Sequence, residues 1–385
     1  MACPLCLSKS LIDVAPDSDH RIFYAVILSA RRIPAFAFVV ACFLFTTKRN
    51  ARVVDCRKGP RCISQSYRPA NSCCPLNQIS LENGHPMLIQ SEFDIQFRLS
   101  HPTAMVALLH LHPSLNAAIQ SGNELAVEKI AEPWLPAPDA APFVPETIPS
   151  VEYYDSFGNR CTRFVAPAGL LRLKSAAITL HDGLPDEIAT DAKQGHIEDL
   201  PSEVLQFLLP SRYCEVDRFS AIAQDLFSWT APGWQRAAAI RDWAHNKVAF
   251  NYNTARPTKT AMDVYTERIG VCRDFQHLAI TLSRCQNIPA RYVTGYLGDV
   301  NRTYSGPGDF SAWYEVFLDG RWITMDARHN DSRYGRVLMA TGRDAADVAI
   351  TTSFGDAYLA HFYVDSYLID ADGNKIPIVG APALI

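Results

Sequence analysis

The stretch GVCRDFQHLAITL, residues 270–282, decides the fold of this chain because it places a cysteine at the start of an amphipathic helix. Four apolar residues recur at i, i+3, i+4 and i+7, the spacing of one helix face: Phe275, Leu278, Ala279 and Leu282. Cys272 then lies in the first turn, where unpaired backbone N–H groups and the helix dipole favour a thiolate and can hold an oxyanion. On position alone, a structural cysteine and a nucleophile are equally compatible with this pattern.

The chain has 385 residues, enough for two or three domains with a substantial core. Residues 1–86 carry 11 Lys and Arg against 5 Asp and Glu, whereas the remainder carries 25 against 35. Seven of the 11 cysteines also lie in that first segment. The acidic remainder argues against a nucleic-acid partner. Its four scattered cysteines are typical of a reduced protein, so we expect a cytoplasmic location.

The first 86 residues differ in composition from the rest. Their apolar run over residues 33–45 is too short to span a membrane, and no small-residue cleavage site follows it. We interpret residues 1–86 as a leader of doubtful structure that need not belong to the mature protein, with a signal anchor as the alternative. No membrane contact is expected in the core.

Ordered patterning begins at Met87, and it predicts an N-terminal antiparallel β domain over residues 87–180. His110 and His112 lie two apart on one presumed strand face, but no third ligand is nearby, and packing is the preferred interpretation. A connection over 181–214 leads to a core over 215–355, whose first part has a helical pattern, and 356–385 form a C-terminal strand and tail. The fold class predicted is α+β.

Helix signals flank the cysteine. Thr260 is a candidate N-cap for the preceding helix, and Gly270 occupies the position expected of its left-handed C-terminal cap.

A β-hairpin is predicted around Asp319-Gly320, because Asp-Gly between alternating apolar runs favours a two-residue turn. That turn pairs Leu318 with Arg321. Continued along both strands, this register places four side chains on one sheet face: Ser311, Trp313, Asp326 and Arg328. Residues 311 and 326 would then be diagonal neighbours, roughly 7–8 Å apart. An imidazole at 311 could hydrogen-bond the Asp326 carboxylate.

Three runs resemble the transglutaminase-like cysteine-enzyme family, in its bacterial branch with an N-terminal β domain: GVCRDFQHLAITLSRCQNIPARYVTGYLGDV, DFSAWYEVFLDGRWITMDARHN and GRVLMATGRDAADVAITTSFG. The resemblance covers about residues 215–355. It implies a papain-like fold, with helices packed on an antiparallel sheet, and a Cys, His and Asp triad for thiol acyl transfer or amide hydrolysis. Cys272 matches the family's nucleophile, and Asp326 matches its acid.

The third member of the triad does not match, because Ser311 stands where the family has its catalytic His. A serine hydroxyl cannot accept a proton near neutral pH, and loss of general acid–base catalysis typically removes about 10²- to 10⁴-fold of rate. His329 is the nearest candidate substitute base. On an uninterrupted strand, however, it would point to the opposite face.

Other residues near the site have structural alternatives. Arg273 and Asp274 are either a solvated first turn or groups that position substrate, and Trp313 is either a packing aromatic or a wall of the substrate cleft. No metal ligand set or phosphate-binding loop is present in the core, so neither cofactor nor metal is expected.

Two functions fit these observations. One is a thiol enzyme that hydrolyses or transfers peptide or side-chain amides through Cys272. The other is a catalytically silent relative that binds a peptide or protein partner, because Ser311 replaces the family's His.

The pH dependence of Cys272 alkylation by iodoacetamide, read by mass spectrometry, separates the two functions. We expect Ser311→His to lower the alkylation midpoint, since an adjacent imidazole stabilises a thiolate. A wild-type midpoint already well below about 8.5 would favour the enzyme, and a lowered midpoint only in the variant would favour the silent relative. An identical profile in both proteins would contradict the predicted position of residue 311.

Overall fold

The computed structural model describes residues 36–38, 84–131, 144–298 and 308–377, and most of the predicted leader lies outside them. Its strands in chain order are β1 (Phe36–Phe38), β2 (Met87–Leu99), β3 (Thr103–Ala107), β4 (Ile119–Gly122), β5 (Ala126–Ile130), β6 (Glu146–Thr147), β7 (Ser150–Tyr154), β8 (Arg160–Ala166), β9 (Gly169–His181), β10 (Ala249–Phe250), β11 (Ile269–Gly270), β12 (Ala290–Tyr296), β13 (Ser311–Leu318), β14 (Arg321–Met325), β15 (Val337–Gly342), β16 (Thr351–Ser353) and β17 (Tyr358–Ile369). The α-helices of the described part are α1 (Val216–Phe227), α2 (Trp234–Lys247), α3 (Ala261–Glu267) and α4 (Cys272–Cys285).

Two antiparallel sheets form the β-rich half of the molecule. One has the order β17-β2-β9-β5-β6, with β4 also paired to β9, and the other has the order β1-β16-β3-β8-β7. Along β2, buried and half-buried residues alternate, as the sequence pattern predicts. The antiparallel β domain is therefore confirmed. Strands β16 and β17 follow the helical core in the chain, so the C-terminal part completes both sheets.

The core sheet has the order β14-β13-β12-β15, and its two faces contact different layers. Ala312, Tyr314 and Val316 alternate along β13 and pack with the helices. Phe310 and Met339 pack with the strands of the β domain instead. The predicted α+β class is confirmed, and the core sheet lies between the helices and the β domain.

Helix α4 begins at Cys272, the residue predicted to start it. Leu278, Ile280 and Leu282 are fully buried, and full burial of such side chains contributes about 1.5–3 kcal/mol each. No helix of the described residues has the length and apolar character needed to cross a membrane.

The predicted cap at Gly270 is wrong. Thr260 caps α3 as expected, but Arg268 takes the left-handed conformation that ends this helix, with a φ of 57°. Gly270 instead lies in β11, where a Cβ would come within 2.6 Å of the Asp274 Cβ. The missing side chain lets the Asp274 carboxylate fold back and accept a hydrogen bond of 2.9 Å from the Val271 N–H.

Two strand predictions also need correction. The hairpin pairs Leu318 with Arg321 as predicted, and both turn residues have positive φ, but β14 ends at Met325. Arg328 therefore lies in a turn beyond the strand and not on its face. Likewise β3 ends at Ala107, so His110 and His112 are not on a strand. Buried His110 contacts the Asn123 carbonyl and the Thr162 hydroxyl, which supports its packing interpretation.

Arg284 joins α4 to three other segments. The residue is 2 % exposed, and its guanidinium donates hydrogen bonds to the carbonyls of Leu209, Ala290 and Arg343. A buried guanidinium costs desolvation energy unless its donors are satisfied, and these carbonyls together with the Ser211 hydroxyl satisfy them. The side chain fixes the end of α4 against β12 and β15.

We expect Arg284→Met to lower the free energy of unfolding by about 2–4 kcal/mol, because the apolar side chain leaves several buried carbonyls without a donor. Urea denaturation followed by circular dichroism measures the change. Arg321→Met is the matched control, since Arg321 pairs with Glu187 at the surface and its loss should change stability less. Equal losses in the two variants would contradict the assigned role of Arg284.

Candidate active site

Cys272 is the first residue of α4 and is half-buried at one wall of a small cavity. The cavity has a volume of about 50 Å³ and is lined by Cys272, Arg273, Tyr292, Thr294, Asp309, Phe310, Ser311, Ala312, Ala345, Val348, Ala349 and Ile350. The structure thus brings Cys272 and Ser311 to the same cavity. N–H groups in the first turn of a helix lack intrahelical partners and can stabilise an oxyanion beside the thiol.

Asp326 lies just after β14 and is 3 % exposed. Its Oδ1 accepts hydrogen bonds from the Arg328 N–H at 2.9 Å, the His329 N–H at 3.0 Å and the Gln276 side chain at 3.2 Å. Its Oδ2 accepts from Arg336 at 3.1 Å. Burial alone would raise the pKa of this carboxyl, but the His329 hydrogen bond and the Arg336 charge outweigh it. The pKa is held well below its ordinary value, so Asp326 is a carboxylate.

His329 forms the remaining contact of this carboxylate. Its Nδ1 lies 3.0 Å from Asp326 Oδ2. The strand that would have turned His329 away from Asp326 ends before it, at Met325, and residues 327–329 turn back. The Asn330 N–H donates a hydrogen bond of 2.9 Å to the Asp326 carbonyl. This bond closes the turn that brings the His329 imidazole to the Asp326 carboxylate.

The tautomer of His329 follows from its neighbours. Its Nε2 lies 2.8 Å from Nη1 of Arg328, and a guanidinium can only donate, so Nε2 is the acceptor. Nδ1 therefore carries the proton and donates it to Asp326. Burial lowers the pKa of His329 below its ordinary value, and the nearby Arg333 and Arg328 charges add to this against the opposing effect of Asp326. The lowered pKa favours the neutral imidazole.

Two arginines shape the surroundings of this pair. Arg336 is 6 % exposed in its side chain and bridges Asp326 to Asp186 of the connecting segment, whose Oδ2 lies 2.7 Å from Nε. The guanidinium of Arg328 lies 3.6 Å from the centre of the Phe250 ring, a cation–π contact. Phe250 in turn packs against Phe275 of α4.

Trp313 is buried, and the guanidinium of Arg336 lies 5.1 Å from its ring centre. It lines a second cavity, of about 230 Å³, together with Arg336. It is not among the residues that line the Cys272 cavity.

The first turn of α4 is not solvated. Arg273 and Asp274 are both buried, and Arg273 donates to the Arg256 carbonyl at 3.0 Å. His277 is also buried, where Nε2 accepts from the Ala345 N–H and the ring stacks on Tyr213. Burial lowers its pKa well below the ordinary value.

Gln276 and Arg336 are not among the residues that the sequence pattern predicts for the site. Gln276 follows Cys272 by four residues and so lies on the same helix face, and this spacing could have indicated that it belongs to the site. Arg336 comes from a loop whose position only the folded chain sets. Within the described residues, no group of three His, Cys, Asp or Glu side chains is arranged to hold a metal ion.

Selective alkylation provides a test of this geometry. Burial raises the pKa of the thiols of Cys161 and Cys214 to about 12 and that of Cys285 to about 11, whereas Cys272 lies at a cavity. At pH 8 a thiol with a pKa of about 12 is a thiolate in roughly one molecule in 10⁴. We expect Cys272 to react first among these four, measured by peptide-resolved mass spectrometry after limited iodoacetamide treatment. Equally rapid labelling of Cys214 would contradict the described packing.

Comparisons with known proteins agree with this architecture. Residues 220–327 match the profile of the transglutaminase-like superfamily. An uncharacterized protein of Mycobacterium leprae is 29% identical over 217 residues, which cover 53% of this chain and 76% of that protein. An uncharacterized protein of Mycobacterium tuberculosis is 35% identical over 102 residues, but the match spans 31% of its length.

A solved structure extends the similarity to the β domain. A candidate cysteine protease from Cytophaga hutchinsonii superposes with a TM-score of 0.61 at 29% identity, over 76% of this chain and 93% of that one. The helix that begins at a cysteine, the antiparallel core sheet and the profile match agree with one another. The chain therefore contains a transglutaminase-like domain over residues 220–327.

Proposed function

We propose that this protein is a transglutaminase-like thiol enzyme that acts on peptide or side-chain amides, by hydrolysis or by acyl transfer to an amine. Cys272 is the nucleophile, and Asp326 and His329 form the acid–base pair. One observation carries the proposal: the 3.0 Å hydrogen bond that orients the His329 imidazole on the buried Asp326 carboxylate. His329 thereby supplies the oriented imidazole that Ser311 cannot provide.

The first half of the reaction forms a thioester. His329 Nε2 takes the proton of the Cys272 thiol, and the thiolate sulfur attacks the amide carbonyl carbon. N–H groups of the first turn of α4 hold the oxyanion of the tetrahedral intermediate. The imidazolium then protonates the leaving amine as the C–N bond breaks, and Asp326 stabilises the imidazolium while it exists.

The second half releases the acyl group. His329 accepts a proton from water or from an acceptor amine, whose oxygen or nitrogen attacks the thioester carbonyl. The C–S bond breaks, and the proton passes from the imidazolium to the Cys272 sulfur. Because Arg328 donates to His329 Nε2 in this structure, its guanidinium must leave that nitrogen before Nε2 can accept a proton.

Two contacts support the placement of the base near the nucleophile. Gln276 lies one helical turn after Cys272 and donates to Asp326. Phe250, which lies under Arg328, contacts Phe275 in the same part of α4.

A second candidate is a catalytically silent protein that uses the cleft to bind a peptide or protein partner. The presence of Ser311 beside Cys272 favours it, since the residue at the family's His position cannot transfer a proton. For either function we propose a protein or peptide ligand and a cytoplasmic location, because thiols scattered through residues 87–385 suit a reducing compartment.

Turnover of a fluorogenic peptide-amide library, and hydroxamate formation from glutamine peptides with hydroxylamine, test the enzyme. We expect Cys272→Ala to abolish both activities and His329→Asn to lower kcat by about 10²- to 10⁴-fold. Because burial lowers the pKa of His329, the acid limb of the kcat/KM profile should lie below about pH 6.5, the ordinary value for His.

His361→Asn is the matched control, since His361 lies exposed on β17 and its loss should leave kcat unchanged. Peptide binding that survives Cys272→Ala, without turnover by the wild type in either assay, would contradict the enzyme and support the silent protein. An activity insensitive to His329→Asn would show that another group is the base.

A further inference from the structure

Helix α4, which begins at Cys272, carries a polar residue that contacts the Asp326 turn. Gln276 is fully buried and follows Cys272 by four residues, which places the two side chains on the same face of α4. Side chains on a helix lean toward its N-terminus, so Gln276 covers the turn that Cys272 begins. Its amide is the side-chain group of α4 that contacts Asp326.

The amide group of Gln276 joins three separate parts of the chain. Its Nε2 donates to the Ala312 carbonyl of β13 at 3.1 Å and to Asp326 Oδ1 at 3.2 Å. Its Oε1 accepts from the Ala327 N–H at 3.1 Å. The opposite orientation of the amide would set its oxygen against two acceptors and its NH₂ against a donor. The network therefore fixes one orientation of this side chain.

Simple satisfaction of buried polar groups does not account for this arrangement. The Asp326 carboxylate already accepts from two backbone N–H groups, from His329 and from Arg336, so its charge is compensated without Gln276. Those four donors all come from residues 328–336, on the strand and loop side of the site. Gln276 is what connects the carboxylate to the helix that carries Cys272.

We propose that Gln276 is a positioning residue, which holds the Asp326–His329 pair in register with the first turn of α4. This inference rests on the proposed function, because it concerns the same nucleophile and base. Misplacement of reacting groups by about 1 Å can cost about 10²-fold in rate, and a side chain with three hydrogen bonds to the Asp326 turn and its neighbouring strand limits such movement. Gln276 itself needs no contact with substrate.

Gln276→Met tests the proposal, because it preserves length and apolar volume but removes all three hydrogen bonds. We expect kcat to fall by about 10- to 100-fold with little change in KM. The groups that bind substrate remain in place, whereas His329 is no longer held in position relative to Cys272. Thr281→Val is the matched control. Thr281 is equally buried on α4 and donates to the His277 carbonyl at 2.7 Å, without contact to Asp326.

A second measurement needs no substrate. The pH dependence of Cys272 alkylation in the wild type should show an inflection that His329→Asn removes, because the charge of a nearby imidazole affects the thiolate. The charged groups around His329 are Asp326, Arg328, Arg333 and Arg336, and all remain in both Gln276→Met and Thr281→Val. We expect Gln276→Met to lose the inflection and Thr281→Val to keep it.

The outcomes are distinguishable. A wild-type profile with no His329-dependent inflection would overturn the proposed base, and with it the pair that Gln276 is said to position. A wild-type inflection that persists in Gln276→Met, with kcat unchanged, would overturn the positioning role alone. If Thr281→Val loses kcat and stability as much as Gln276→Met does, the effect belongs to general packing of α4 and the proposal fails.

Discussion

Burial of α4 is the constraint on which the rest of this structure depends. A helix placed between the core sheet and three other helices must find partners for most of its polar groups in its surroundings. Arg273, Gln276 and Arg284 do so through carbonyls and a carboxylate of distant segments. Each of these contacts also fixes where a neighbouring segment lies, so the position of Cys272 is set by the burial of its own helix.

The same reasoning explains the electrostatics around Asp326. A fully buried carboxylate is unfavourable unless charge and hydrogen bonds compensate it. Here Arg336 supplies the charge, while the turn at residues 327–329 supplies two backbone N–H groups and the His329 imidazole. Because Arg336 is shared with Asp186, the connection between the β domain and the core takes part in holding the carboxylate.

Ser311 replaces the family's catalytic His, and the structure brings a different imidazole to Asp326. In the family pattern that this chain resembles, the imidazole comes from the strand position that Ser311 occupies. In this chain an imidazole reaches the same acid from the turn three residues later. A neutral His329 with its proton on Nδ1 has the tautomer that a general base requires. His329 Nε2 can accept a proton only when the Arg328 guanidinium no longer donates to it.

Local patterns in the sequence predicted the types of the elements but not every boundary between them. The spacing of Phe275 and its apolar neighbours predicted where α4 begins, and Asp319-Gly320 predicted the hairpin register, because both depend on residues close in the chain. The position of His329 could not be predicted, since it depends on where β14 ends and on a turn closed by a buried carboxylate. Gln276 and Arg336 acquire their partners only when α4, β13 and the connecting segment pack together. Contacts between residues far apart in sequence decide a buried polar site, and no local pattern encodes them.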